Sequence, residues 1–168
     1  MNDLTLRLIL SDLRGAGNVG SILRTADACG VEHVYACGYT PYPQVPGDTR
    51  PPHVIASNMR VIAKTALGAE QTMSVSHFPE TSGAISEAVS EGFDIIVIEQ
   101  AETSLNLFSF KPHSHKLAIV LGNEVSGVEQ TVLDAADTIL EIPMLGAKES
   151  LGVAVAAGVA LDALRFEL

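Results

Sequence analysis

The feature that most constrains this chain is a series of short apolar runs, each too short for a buried helix, set apart by segments with helical periodicity. Ile95-Ile96-Val97-Ile98 is the plainest, four consecutive β-branched residues with no polar alternation. Such a run suits a strand covered on both faces. Comparable runs read as strands at Leu4–Leu10, His33–Cys37, around Met73–His77, and at Asp94–Glu99, Lys116–Leu121 and Thr138–Ile142. Helical patterns fall at about Val19–Cys29, near Asn58–Thr65, and over Ser82–Glu91 and Leu151–Arg165. This alternation predicts an α/β fold, a mostly parallel sheet with helices on both faces. No internal repeat or linker interrupts it, so residues 1–168 are expected to form a single domain.

One stretch resists the pattern. Pro41, Pro43, Pro46, Pro51 and Pro52 crowd the segment after the second strand. Each removes a backbone donor and restricts the residue before it, so irregular structure is expected there. A loop of that length in a compact domain is usually a lid or a binding loop.

Composition narrows the setting. No apolar run approaches the ~20 residues needed to cross a bilayer, and Met1-Asn2-Asp3-Leu4 lacks the basic start of a signal peptide. The two cysteines, Cys29 and Cys37, form neither a CxxC pair nor a disulfide framework. Buried, reduced thiols in a cytoplasmic protein are the expectation. His113 and His115 make an HxH pair without further ligands nearby in sequence, so no metal is expected.

The formal net charge of −10 argues against a simple nucleic-acid binder. The charge is uneven, however. Residues 1–65 carry six basic groups (Arg7, Arg14, Arg24, Arg50, Arg60, Lys64) against five acids, net +1. The remainder carries four against fifteen, net −11. A polyanion is therefore expected to approach the N-terminal part.

Gly15-Ala16-Gly17-Asn18-Val19-Gly20 is a literal GxGxxG between a strand and a helix. This is the context of a dinucleotide-binding turn. That fingerprint also wants an acid at the end of the second strand, where this chain has Ala36-Cys37-Gly38. The fingerprint is half met, and a nicotinamide-dinucleotide oxidoreductase stands as the alternative reading.

Three longer motifs point elsewhere. The first is Asn18-Val19-Gly20, then Arg24-Thr25-Ala26, then Gly30-Val31. The second is Ile119-Val120-Leu121-Gly122-Asn123-Glu124-Val125-Ser126-Gly127-Val128, a strand running into a polar, glycine-bearing loop. The third is Ile142-Pro143-Met144 followed by Lys148-Glu149-Ser150-Leu151-Gly152-Val153-Ala154. Ligands in open α/β sheets bind beyond the carboxyl ends of strands, where the second and third loops lie. Taken singly, Asn18 and Ser150 read as helix caps and Arg24 as a surface arginine. Gly122 and Gly127 read as places where backbone approaches a ligand closely.

In order and spacing, together with Lys64-Thr65-Ala66-Leu67-Gly68-Ala69-Glu70, the motifs resemble the SpoU/TrmH branch of the SPOUT RNA methyltransferases across nearly the whole chain, in the form of a short stand-alone member. The resemblance implies a C-terminal trefoil knot, S-adenosylmethionine as cofactor, a homodimer, and methylation of a ribose 2′-hydroxyl in tRNA or rRNA. It places Leu121, Gly122, Gly127, Ile142, Met144 and Leu151 in the cofactor pocket. Arg24, Asn18, Glu124 and Ser150 become the catalytic set. A guanidinium, with a pKa above ~12, is a poor base. Arg24 is therefore expected to clamp a phosphate and stabilise the forming alkoxide, in the partner's site if the dimer interface runs beside it. One departure stands out. The family usually has Asn where this chain has Gly152, which removes a hydrogen-bonding group and keeps open an inactive RNA- or cofactor-binding module.

Overall fold

The structure, a computed structural model, describes the backbone of residues 4–167. Seven strands form one sheet: β1 (Thr5–Ser11), β2 (His33–Cys37), β3 (Val75–Phe78), β4 (Asp94–Ile98), β5 (Leu105–Asn106), β6 (Lys116–Leu121) and β7 (Thr138–Glu141). Their order is β3-β2-β1-β6-β4-β7-β5, and every pairing is parallel. The connecting helices are α1 (Ala16–Ala28), α2 (Pro52–Ala66), α3 (Ala69–Thr72), α4 (Thr81–Ser90), α5 (Gln130–Asp134) and α6 (Val153–Asp162), the last running into a π-helical turn at Ala163–Glu167.

The apolar runs lack alternation because both faces of the sheet are covered. Along β1, Leu6, Leu8 and Leu10 pack with α1, α2 and α6, while Ile9 packs on the opposite face with α4. β6 divides the same way, Leu117, Ile119 and Leu121 against Ala118 and Val120. Cys37 is fully buried on the α4 face, and burial pushes its thiol up to about 12, so it serves as apolar filling.

Three helix starts differ from expectation, each for a local reason. α1 begins at Ala16, three residues early, because the glycine-rich turn carries no apolar periodicity to announce it. α2 begins at Pro52 with Pro51 as its N-cap, so two of the five prolines open a helix. Proline suits that position, since the first-turn N–H has no helical partner. α6 begins at Val153 behind Gly152 as N-cap, so Ser150 is not the cap. β5, α3 and α5 are two to five residues long, too short to show a period.

The rest of the proline stretch is irregular but ordered by its own contacts. Arg50 pairs with Asp48, donates to the Tyr42 and Pro43 carbonyls, and lies over the Tyr42 ring. Tyr42 in turn stacks on His77, with ring centroids 4.5 Å apart. The Arg50 hydrogen bonds hold the Asp48 carboxyl far below the usual carboxylate range.

Gly20, the last glycine of the GxGxxG, is a helix-packing residue. A Cβ there would lie 2.3 Å from the Ile62 carbonyl oxygen and closer still to Thr65 Oγ1, both on α2. Thr65 Oγ1 also donates to the Gly17 carbonyl at 2.8 Å. Gly20→Ala is therefore expected to cost about 1–3 kcal/mol through forced separation of α1 from α2. A lowered urea midpoint checks this, and an unchanged midpoint would refute the close packing.

Candidate active site

A parallel sheet sends all its carboxyl-end loops to one edge. Leu10 of β1 pairs with Leu121 of β6, Leu121 with Ile98 of β4, and Ile98 with Leu140 of β7. The loops after these strands thus emerge side by side. They enclose a cavity of about 250 Å³ beyond β4, β6 and β7, and the first turn of α6 closes one side of it. Leu121, Gly122, Gly127, Ile142, Met144 and Leu151 all line this cavity, as do Glu124 and Ser150. Asn18 and Arg24 do not.

The loop after β6 forms one wall and is tightly built. Asn123 N–H donates to the Gly127 carbonyl and Gly127 N–H to the Asn123 carbonyl, at 3.1 and 3.0 Å. The buried Asn123 side chain uses its full capacity. Its Oδ1 accepts from the Val125 and Ser126 amides. Its Nδ2 donates to the Asp12 carbonyl and to Tyr39 Oη, both at 2.7 Å.

Gly127 has φ +70°, the left-handed region, and a Cβ there would meet Glu99 Oε2 at 2.6 Å. A Cβ on Gly122 would lie 2.7 Å from the Gly127 carbonyl carbon. Both glycines are therefore needed by the turn itself. Both also line the cavity, and the turn needs them whether or not a ligand approaches their backbone.

Glu124 ties this wall to the β1–α1 turn. Its carboxylate accepts from the Arg14 amide at 2.9 Å, the Gly15 amide at 3.2 Å and Asn18 Nδ2 at 3.0 Å. Partial burial pushes its pKa up, but these hydrogen bonds outweigh burial and hold it below the ordinary glutamate value. Asn18 lies inside α1 and donates to Glu124, so it makes no side-chain cap, contrary to its simplest reading.

The same geometry removes the dinucleotide reading. The Arg14 and Gly15 amides, at the start of the GxGxxG turn, and the Asn18 side chain already bind an internal carboxylate where a pyrophosphate would have to sit. The cavity lies instead at β4, β6 and β7.

Residues not singled out from the sequence also line the site: Glu99 and Gln100 after β4, and Asn123. Glu99 accepts from the Val128 amide at 3.1 Å, and Gln100 Nε2 donates to the Glu149 carbonyl at 2.7 Å, joining the β4 loop to the loop before α6. The signal for Glu99 and Gln100 was their place at the carboxyl end of the plainest buried strand. Arg24 is exposed on α1 and makes no hydrogen bond or ion pair among the described residues. Ser150 is exposed at the cavity rim.

The profile of the SpoU rRNA Methylase family matches residues 49–162, which include the second and third motifs. The chain belongs to this family. It is 28% identical over 156 residues to the tRNA (guanosine(18)-2′-O)-methyltransferase of Escherichia coli K12, covering 93% of this chain and 61% of that protein. It is 32% identical over 157 residues to the 23S rRNA (guanosine-2′-O-)-methyltransferase RlmB of Ralstonia nicotianae, covering 93% and 56%. The fold matches that of the AdoMet-bound rRNA methyltransferase from Sinorhizobium meliloti with a TM-score of 0.79 at 22% identity, covering 100% of this chain and 59% of that one. This SpoU-family chain thus spans about three-fifths of the length of these relatives.

Two outcomes follow for the site. Nothing lies within 4 Å of a Cβ added at Gly152, whose φ is −62°, so the position accepts a side chain. Gly152→Asn should fold normally and gain a few tenths of a kcal/mol as a better N-cap. A melting temperature below wild type would count against this. Glu124 has a folded pKa below its unfolded value, so its stabilisation is present above about pH 4.5 and lost as pH falls through the depressed folded value. The melting-temperature gap between wild type and Glu124→Gln should accordingly be level near neutrality and close in acid. A gap that widens in acid would exclude the ionised tie.

Proposed function

We propose that this chain forms the core of an S-adenosylmethionine-dependent RNA methyltransferase that modifies a ribose 2′-hydroxyl of tRNA or rRNA. The observation carrying this reading is the cavity. In a SpoU-family chain, loops bearing the second and third motifs meet there, and the motif-one turn is pinned to its rim by Glu124.

The lining suits the cofactor. Leu121, Ile142, Met144 and Leu151 offer apolar surface for a flat purine. Glu99, Gln100, the loop backbone and the N-terminal turn of α6 offer polar partners for a ribose and an amino-acid tail. When bound, S-adenosylmethionine supplies an electrophilic methyl group on a sulfonium that leaves readily.

The chain's own work is then positioning and charge stabilisation. Glu124 stays ionised and fully hydrogen-bonded, so it acts as an anchor for the motif-one turn rather than a base taking the 2′-proton. Asn18 is oriented by that anchor. Ser150 stands at the rim with its hydroxyl available to a ribose. Arg24 provides a fixed positive charge for a backbone phosphate and for the oxygen as its proton leaves.

Arg24 is exposed and does not line the cavity of its own chain, which supports a homodimer in which it serves the partner's site. Val155 and Phe166 are exposed apolar residues on the C-terminal helical segment, and Leu151 is another in the loop just before it. α6 packs beside the helix carrying Arg24, Gly158 coming within 3.9 Å of Thr25 if given a Cβ. A partner covering α6 would meet α1 as well. The C-terminal path supports a trefoil knot: the chain leaves edge strand β5, inserts β6 between β1 and β4, then inserts β7 between β4 and β5 before α6 returns to α1. A tRNA or rRNA substrate supports a cytoplasmic location.

Calorimetry should show one S-adenosylmethionine per chain, and absence of binding would overturn the reading. Arg24→Ala should retain cofactor affinity and lose on the order of a hundredfold in single-turnover methyl transfer to RNA. Arg24→Lys should recover little, since a point charge cannot replace the two-pronged guanidinium. Wild-type rates in Arg24→Ala would remove it from the reacting centre.

A further inference from the structure

The chain has three tyrosines. Tyr35 is 1% exposed and Tyr42 9%, and both rings are spent on internal contacts. Tyr39 is 63% exposed, yet it is held at both ends. Its amide donates to Asp12 Oδ1 at 3.2 Å, and its phenolic oxygen accepts from Asn123 Nδ2 at 2.7 Å. Core packing does not account for this. An aromatic side chain whose hydroxyl and backbone amide are each held by a hydrogen bond, and whose ring is left open to solvent, is already arranged to receive a flat partner.

Its placement says which partner. The residue holding the Tyr39 hydroxyl, Asn123, and the next residue, Glu124, both line the cavity. Glu124 also binds the Arg14 amide, and the Arg14 side chain is exposed with no hydrogen bond or ion pair among the described residues. An open ring and an open guanidinium thus flank the same two-residue wall. Stacked bases and adjacent phosphates are what such a pair receives, and single-stranded RNA offers both. The +1 balance of residues 1–65 favours approach on this side.

We propose that Tyr39 is the platform on which a base next to the methylated ribose stacks, with Arg14 meeting a neighbouring phosphate. Tyr39 is in this sense a substrate-positioning residue. The proposal rests on the RNA methyltransferase reading above.

Unmodified transcripts of tRNA and of 23S rRNA serve as probes. Tyr39→Ala should raise the RNA concentration for half-maximal single-turnover methylation about tenfold or more. Cofactor affinity by calorimetry should stay unchanged. Tyr39→Phe keeps the ring and loses the bond to Asn123, so it should fall between wild type and Tyr39→Ala. If the hydroxyl served only to brace the loop, Phe would be as impaired as Ala, and the proposal would fail. The chain contains no tryptophan, so Tyr39→Trp places a single reporter there. Its emission should be quenched by RNA and not by S-adenosylmethionine alone. A blue-shifted emission indifferent to RNA would put the ring under a partner protomer and overturn the proposal. If wild type methylates a transcript while Tyr39→Ala has the same half-saturation, the stacking proposal falls and the methyltransferase reading stands. If wild type neither binds nor methylates either transcript, both fall.

Discussion

Two adjacent side chains, Asn123 and Glu124, hold the functional edge of this molecule together. β1 and β6 are neighbours in the sheet but distant in sequence, and the loops leaving them would otherwise be independent. Asn123 reaches the Asp12 carbonyl and the Tyr39 hydroxyl, while Glu124 gathers the Arg14 and Gly15 amides with Asn18. A carboxylate at the start of α1 is also favoured by the helix dipole. The tie has a chemical consequence. It occupies amides at the start of the GxGxxG turn that would otherwise be open to a phosphate, while the cavity lies beyond β4, β6 and β7.

Around that tie the edge divides into a built wall and an open lip. The wall is backbone-rich and crowded: Gly122 and Gly127 allow a turn so close that a Cβ on either would strike protein atoms. The proline stretch beyond β2 is consolidated by Arg50, Asp48, Tyr42 and His77 rather than left loose. Charge is sorted in the same way. Arg7 is consumed by Glu91, Glu32 and Tyr35, and Arg50 by Asp48, so neither is offered to a polyanion. Arg14, Arg24, Arg60 and Lys64 remain exposed. An overall acidic protein can therefore still present exposed cationic side chains on its N-terminal part.

The sequence by itself determined the layers. Runs such as Ile95–Ile98 and Lys116–Leu121 are apolar without alternation, and only a sheet covered on both faces satisfies them. It also determined the family, because the motif residues lie in order along the chain, and it marked the residues that line the cavity wherever a motif follows a strand. Only the tertiary structure decided the rest. Strand order is set by contacts between segments far apart in sequence, so the insertion of β6 between β1 and β4 leaves no local trace. Helix starts at Ala16, Pro52 and Val153 were hidden because glycine, proline and serine carry no apolar period. The roles of Asn18, Asn123 and Glu124 were undecided for the same reason. A polar side chain in a loop reads as solvated until a partner about a hundred residues away is brought within 3 Å, as Asn18 and Glu124 are. Hydrogen bonding is short-ranged and directional, and folding alone supplies the distance.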